Sequence, residues 1–144
     1  MFSYAAVLRA ELAERNRLHA RGFPHVESYG GDAVIVYAPD EKRHGNFYPP
    51  AYEAILANPA WFRRFDKIHT HGRSLPKPLI DPTRKWRELD SCMSSDALLM
   101  NVFCTPGVAD SSALRFTLGI TGNAGPEFGW KARVPLRNGR LDRT

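Results

Sequence analysis

Tyr4, Val7, Leu8 and Leu12 fall three or four residues apart, and Arg9, Glu11, Glu14, Arg15 and Arg17 mostly fill the other faces. This period predicts a helix, stopped by Gly22 and Pro24. The apolar pattern then shortens. HVESY and DAVIVYAP flank Gly30-Gly31, which predicts two strands and a hairpin turn. EKRHGNFYPP reads as a loop, with Asn46 capping the turn in His44-Gly45-Asn46-Phe47. AYEAILANPAWFRRFDKIH returns to helical spacing with a break at Asn58-Pro59, and Pro76, Pro78 and Pro82 punctuate the connector that follows.

The segment RELDSCMSSDALLMNVFC sets small hydroxyls and acids directly before an almost wholly apolar run. Apolar residues go most of the way round it, so a buried helix is expected. If residues 86–104 form one helix, Asp90, Ser94, Ala97 and Asn101 share a stripe that suits a cleft. The plainer alternative makes Ser94 or Ser95 the N-cap of a helix that starts near Asp96, whose negative charge favours that end. A cap leaves Asn101 unexplained, because an amide in the apolar middle needs a partner.

Toward the C-terminus, DSSALRFTLGI fits a strand by alternation and a short helix by its Asp110-Ser111-Ser112 cap; the helix is favoured. FGWKARVPL is the clearest strand, with Phe128, Trp130, Ala132, Val134 and Leu136 on one face and Lys131 and Arg133 on the other. Asn138-Gly139 predicts a hairpin and a return strand from Arg140 or Leu141. That return strand reaches Thr144 after about five residues, so the expectation is an unfinished sheet whose open edge invites self-association.

Hydrophobic residues at 43% and charged residues at 24% describe a globular chain, and 144 residues suffice for one core. Lys and Arg outnumber Asp and Glu by 20 to 15, a net charge of +5 that permits a polyanionic partner without demanding one. Cys92 and Cys104 are too few for a disulfide framework and read as small buried hydrophobes, which points to a reducing compartment. Arg9 and Glu11 come too early for a signal-peptide core, and no stretch approaches the roughly 18 apolar residues of a membrane span. A cytoplasmic protein without membrane contact is expected.

Chemistry-bearing motifs are sparse. His69-Thr70-His71 lacks the further ligands of a zinc site, and GITGNAG lacks the Lys-Ser/Thr of a phosphate loop. Lys131, Arg133, Arg137, Arg140 and Arg143 could contact phosphates, or form a solvated strand face.

SSDALLMNVF, followed by FGWKARVPL, a glycine turn and DRT, resembles the central region of restriction-endonuclease-like proteins of the PD-(D/E)XK nuclease superfamily. HGNFYPPAYEAILANPAWFRRFDKIHT and WRELDSCMSSDALLMNVFCTPGV are similar to the same group, so the resemblance spans residues 44–144. It implies an α/β (α+β) fold in one continuous domain. Residues 1–43 would form an N-terminal helix and hairpin, and residues 44–144 a helical segment and a partial nuclease-like core. The resemblance implies DNA as partner and Mg²⁺ as cofactor. Asp96, Ser95 and Asn101 would face the metal and the scissile phosphate, and Asp142 would start the catalytic strand as a metal ligand. Lys131, Arg133, Arg140 and Arg143 would meet nucleic acid. The superfamily's main metal-binding Asp and its Glu-x-Lys would lie beyond Thr144. The expected function is therefore the N-terminal portion of a metal-dependent DNA endonuclease, inactive alone, with a non-catalytic nucleic-acid-binding or interaction module as the alternative.

Overall fold

The computed structural model describes residues 3–27, 34–38, 40, 42–69, 83, 85–123, 125–129, 133–135 and 141–143, the last two segments as backbone only. The first helix, α1 (Tyr4–Ala20), starts on Ser3, whose Oγ accepts the Ala6 N–H at 3.3 Å, and it carries Arg17 and His19 at its negative end. Its sequence period does not translate into burial. Ala20 alone is buried, while Tyr4, Val7, Leu8, Leu12 and Leu18 are exposed. The helix is held by its last turn, where Ala20 packs with Ile35, Tyr37 and Phe23.

Strands β1 (His25–Glu27) and β2 (Ile35–Tyr37) pair antiparallel with Val26 opposite Val36, as the sequence predicts; Gly30-Gly31 lies outside the described residues. β2 is buried on both faces by strict alternation. Ile35 and Tyr37 meet the end of α1 and Cys92, whereas Val36 and Ala38 meet Trp86. Its other edge takes Ser91 through an antiparallel bridge, and the Cys92 N–H donates to Ile35 O at 2.9 Å.

The helical region breaks where expected. α2 (Pro49–Ala57) opens on two prolines, and Asn58 Oδ1 accepts from Ala60 and Trp61 to start α3 (Pro59–Phe62). A 3-10 turn over Arg63–Asp66 follows. The main core forms between Tyr52 and Ile55 of α2, Phe65, Leu89, and the inner face of α4 (Ser95–Phe103), Ala97 and Met100.

Three expectations need correction. Of the two readings of residues 86–104 the single helix fails and the cap holds: a 3-10 turn over Glu88–Asp90 precedes a break, and α4 starts at Ser95 with Ser94 Oγ accepting the Ala97 N–H at 3.1 Å. The Arg87–Asp90 pairing closes the 3-10 turn on itself and Ser94 starts a new helix as N-cap, which wins over continuous helix. Nor is α4 buried all round, because Leu98 is 66% exposed and Leu99 and Val102 are also exposed. Finally, the strand expected from Phe128 is described only at β3 (Arg133–Pro135). Phe128 instead packs edge-on against Trp61, and Gly129 has φ +75°, a left-handed backbone that breaks a strand.

The short helix over the ambiguous segment is α5 (Ser112–Thr117). β3 pairs antiparallel with β4 (Leu141–Arg143), which confirms the return strand; Asn138-Gly139 lies outside the described residues. Five helices and two separate two-stranded sheets make the described residues an α+β fold. No helix among them is long and apolar enough to cross a membrane.

Candidate functional site

The polar residues gather inside. Asp90 is 1% exposed, and its carboxylate accepts from the Arg87 N–H at 2.9 Å, from Arg87 Nη2 at 2.9 Å and Nε at 3.1 Å, and from His44 Nε2 at 3.2 Å. The Arg87 guanidinium also lies 4.4 Å from the Phe65 ring centroid, so its flat face is covered as well. Burial alone would push the Asp90 carboxyl up. The hydrogen bonds from His44 and Arg87 and the Arg87 charge outweigh it and hold the group below its usual range.

His44 resembles half of a general-base pair, but its geometry gives it another role. The Asn46 N–H donates to Nδ1 at 3.1 Å, which assigns the neutral tautomer with the proton on Nε2, donated to Asp90. Both nitrogens are engaged and the side chain is 0% exposed, so this imidazole serves as a tie rather than as a base. It ties loop 44–48 to turn 87–91. Asn46 Nδ2 adds donations to Leu89 O (2.7 Å) and Ser91 O (2.6 Å).

Asn101 supplies the third tie. Its Oδ1 accepts the Tyr48 N–H at 2.7 Å, while Nδ2 donates to Asn46 O at 2.5 Å and to Ala97 O at 3.1 Å. The amide in the apolar helix thus fixes α4 to loop 44–48. Gly45 is obligatory there, because a Cβ would overlap the Tyr37 ring.

Above these ties opens a cleft of about 460 Å³. His19, Phe23, Arg43 and Tyr48 line it, together with His44, Asn46 and Asn101. The Arg43 guanidinium stands 5.3 Å from the Phe23 centroid, and His19 Nε2 donates to Gly45 O at 2.9 Å.

Asp96 and Ser95 lie on the first turn of α4, with Ser95 exposed. The Asp96 carboxylate is bound by Arg64 Nη2 and lies 3.6 Å from Lys67 Nζ. Two cations surround it, while Asn101 is five residues further along the helix and engaged elsewhere. Arg64 Nε is buried with no hydrogen-bond partner among the described residues. Asp142 stands opposite Val134 in the β3–β4 register, and Arg133 stands opposite Arg143. Lys131 and Arg140 lie outside the described residues.

The sequence did not reveal the Arg87–Asp90–His44 cluster. The i,i+3 spacing of Arg87 and Asp90 was the available local signal, but His44 joins them from 46 residues away.

The family of restriction endonucleases associating with ARP matches the chain over residues 13–144. The chain belongs to this family. The match covers the cleft, the polar ties and Asp96 together, and it leaves out residues 1–12, among them the first nine residues of α1, whose apolar side chains are mostly exposed. No curated protein and no solved structure matches the chain.

Proposed function

We propose that this restriction-endonuclease family member works on DNA and that its described residues engage the duplex rather than hydrolyse it. The observation that carries this reading is the Arg133–Arg143 cross-strand register in a chain matched to that family over residues 13–144. The register sets two basic positions opposite each other on one hairpin, and basic residues grouped in this way suit a phosphate backbone. Lys131 and Arg140 extend the same basic sequence.

In the PD-(D/E)XK reading, Mg²⁺ would polarise the scissile phosphate and generate the attacking water. Asp96 as placed does not fit that ion, which would have to displace both Arg64 and Lys67. Its role is instead to position those two cations at the start of α4, beside Ser95. Asp142 is the residue proposed for the metal, and Asn101 fixes α4 to loop 44–48 rather than facing that ion.

Binding to a fluorescent duplex, followed between about 50 and 200 mM salt, tests the reading. Affinity should fall steeply with salt, and Arg133→Gln with Arg143→Gln should reduce the log–log slope by about 2. Absence of salt-dependent binding overturns it. Plasmid nicking with Mg²⁺ that Asp96→Ala abolishes would also contradict it and make Asp96 catalytic.

A further inference from the structure

We propose that the cleft between the end of α1 and loop 44–48 receives one unpaired nucleotide of a single DNA strand. The inference rests on the DNA reading above and adds a site that duplex binding does not require. Three independent features converge there.

The first is an aromatic border. Tyr48 is 57% exposed, and Phe23, held by its 5.1 Å ring contact with His19, lines the same cleft. The exposed ring of Tyr48 suits a stacked base and accepts any of the four. Tyr48 is held by its backbone, through the N–H bonded to Asn101, so its ring can serve a ligand without loosening the fold.

The second is an oriented acceptor. Asn46 Nδ2 sits between the carbonyls of Leu89 and Ser91, which fixes which end of the amide is oxygen. Among the described residues nothing donates to Asn46 Oδ1, and it is not a buried orphan. An exocyclic amine or ring N–H of a base can donate to it.

The third is a cation. Arg43 has an exposed side chain and only a loose contact with Asp40, Nε to Oδ2 at 3.9 Å. The Asp40 carboxylate already accepts the Lys42 and Arg43 backbone N–H groups, which hold its pKa low. The guanidinium is therefore available to a phosphate while stacked near Phe23. The cleft has the size of a small-ligand pocket.

The test uses the 144-residue chain and three probes: a labelled 12-nucleotide single strand, the same sequence as a duplex, and dAMP. Single-strand binding should weaken about tenfold in Tyr48→Ala, persist in Tyr48→Phe, and leave duplex affinity nearly unchanged. Arg43→Gln should weaken the single strand as well. Equal loss for single strand and duplex, or no loss in Tyr48→Ala, overturns the proposal while the duplex reading stands. Binding of dAMP as tight as that of the strand also overturns it, in favour of a free-nucleotide site. Failure of every probe, duplex included, removes the DNA reading and this inference together.

Discussion

Loop 44–48 with turn 87–91 and the outer surface of α1, α4 and α5 invert the usual distribution of polarity. In the first region His44, Asp90 and Ser91 are buried, and a chain of hydrogen bonds links them to Arg87, Asn46 and Asn101. In the second, Tyr4, Leu98 and Phe116 face outward, Phe116 at 89% exposure. A groove of about 320 Å³ lined by Leu99, Phe103, Leu114 and Leu118 opens on that side. Burial of apolar surface drives folding generally, and among the described residues it is divided over three clusters. Segments distant in sequence are instead fixed by polar side chains that are individually replaceable only at high cost. The inside is therefore sensitive and the outside tolerant.

Removing Asp90 should break this contrast most severely. Asp90→Ala leaves the Arg87 guanidinium and the His44 imidazole buried without their shared acceptor, and should cost about 3–5 kcal/mol in a urea melt. A loss below about 1 kcal/mol would show that the ion pair contributes little beyond its own desolvation.

Asn101→Leu comes next. It strands the Tyr48 N–H and the Asn46 carbonyl, so the denaturation midpoint should fall by the equivalent of about 1–3 kcal/mol at unchanged slope. Unchanged or higher stability would mean that Asn101 serves the cleft and not the tie.

The pH dependence follows the sign of the Asp90 shift. Its folded pKa lies below the ordinary 3.8, so the unfolded chain takes up the proton first as pH falls. The stabilisation is present above about pH 4 and is lost as pH drops through the folded value. Thermal melts from pH 6 to pH 2.5 should show this acid loss, and Asp90→Asn should flatten it. An equally steep loss in the variant would place the effect elsewhere.

Much of the chain was legible because it depends on neighbours in sequence. Gly22 and Pro24 end α1, Asn58-Pro59 separates α2 from α3, and Ser94 caps α4 through geometry spanning three residues. The return strand β4 follows from a hairpin turn signal of the same range, but the register does not: a two-residue Asn138-Gly139 turn would set Val134 opposite Arg143, whereas Val134 stands opposite Asp142. What escaped depends on distance. Arg87 and Asp90 acquire meaning only when His44 arrives from another segment, and Asn101 only when loop 44–48 lies across it. Apolar period misled for the same reason. Leu8, Leu12 and Leu98 are spaced as a helix requires, but whether a stripe is covered depends on which element packs there. The cleft was invisible because Phe23, Arg43 and Tyr48 each read as an ordinary loop or cap residue.

The smallest expected effect lies on the outer face. Leu98→Gln should change stability by no more than about 0.5 kcal/mol, and it should improve solubility by reducing exposed apolar area. A loss of 2 kcal/mol would show that this face is covered in solution.

Native-state hydrogen exchange compares the two regions in one sample. The Asn46, Tyr48 and Arg87 amides donate to His44 Nδ1, Asn101 Oδ1 and Asp90 Oδ2, so they should exchange only through global unfolding. The Ala6 and Val7 amides, bonded to Ser3 at the exposed start of α1, should exchange through local opening at far lower free energy. Protection at Asn46, Tyr48 and Arg87 equal to the global unfolding free energy is the predicted result. Exchange there as fast as at Ala6 and Val7 would contradict the claim that buried polar ties hold this fold together.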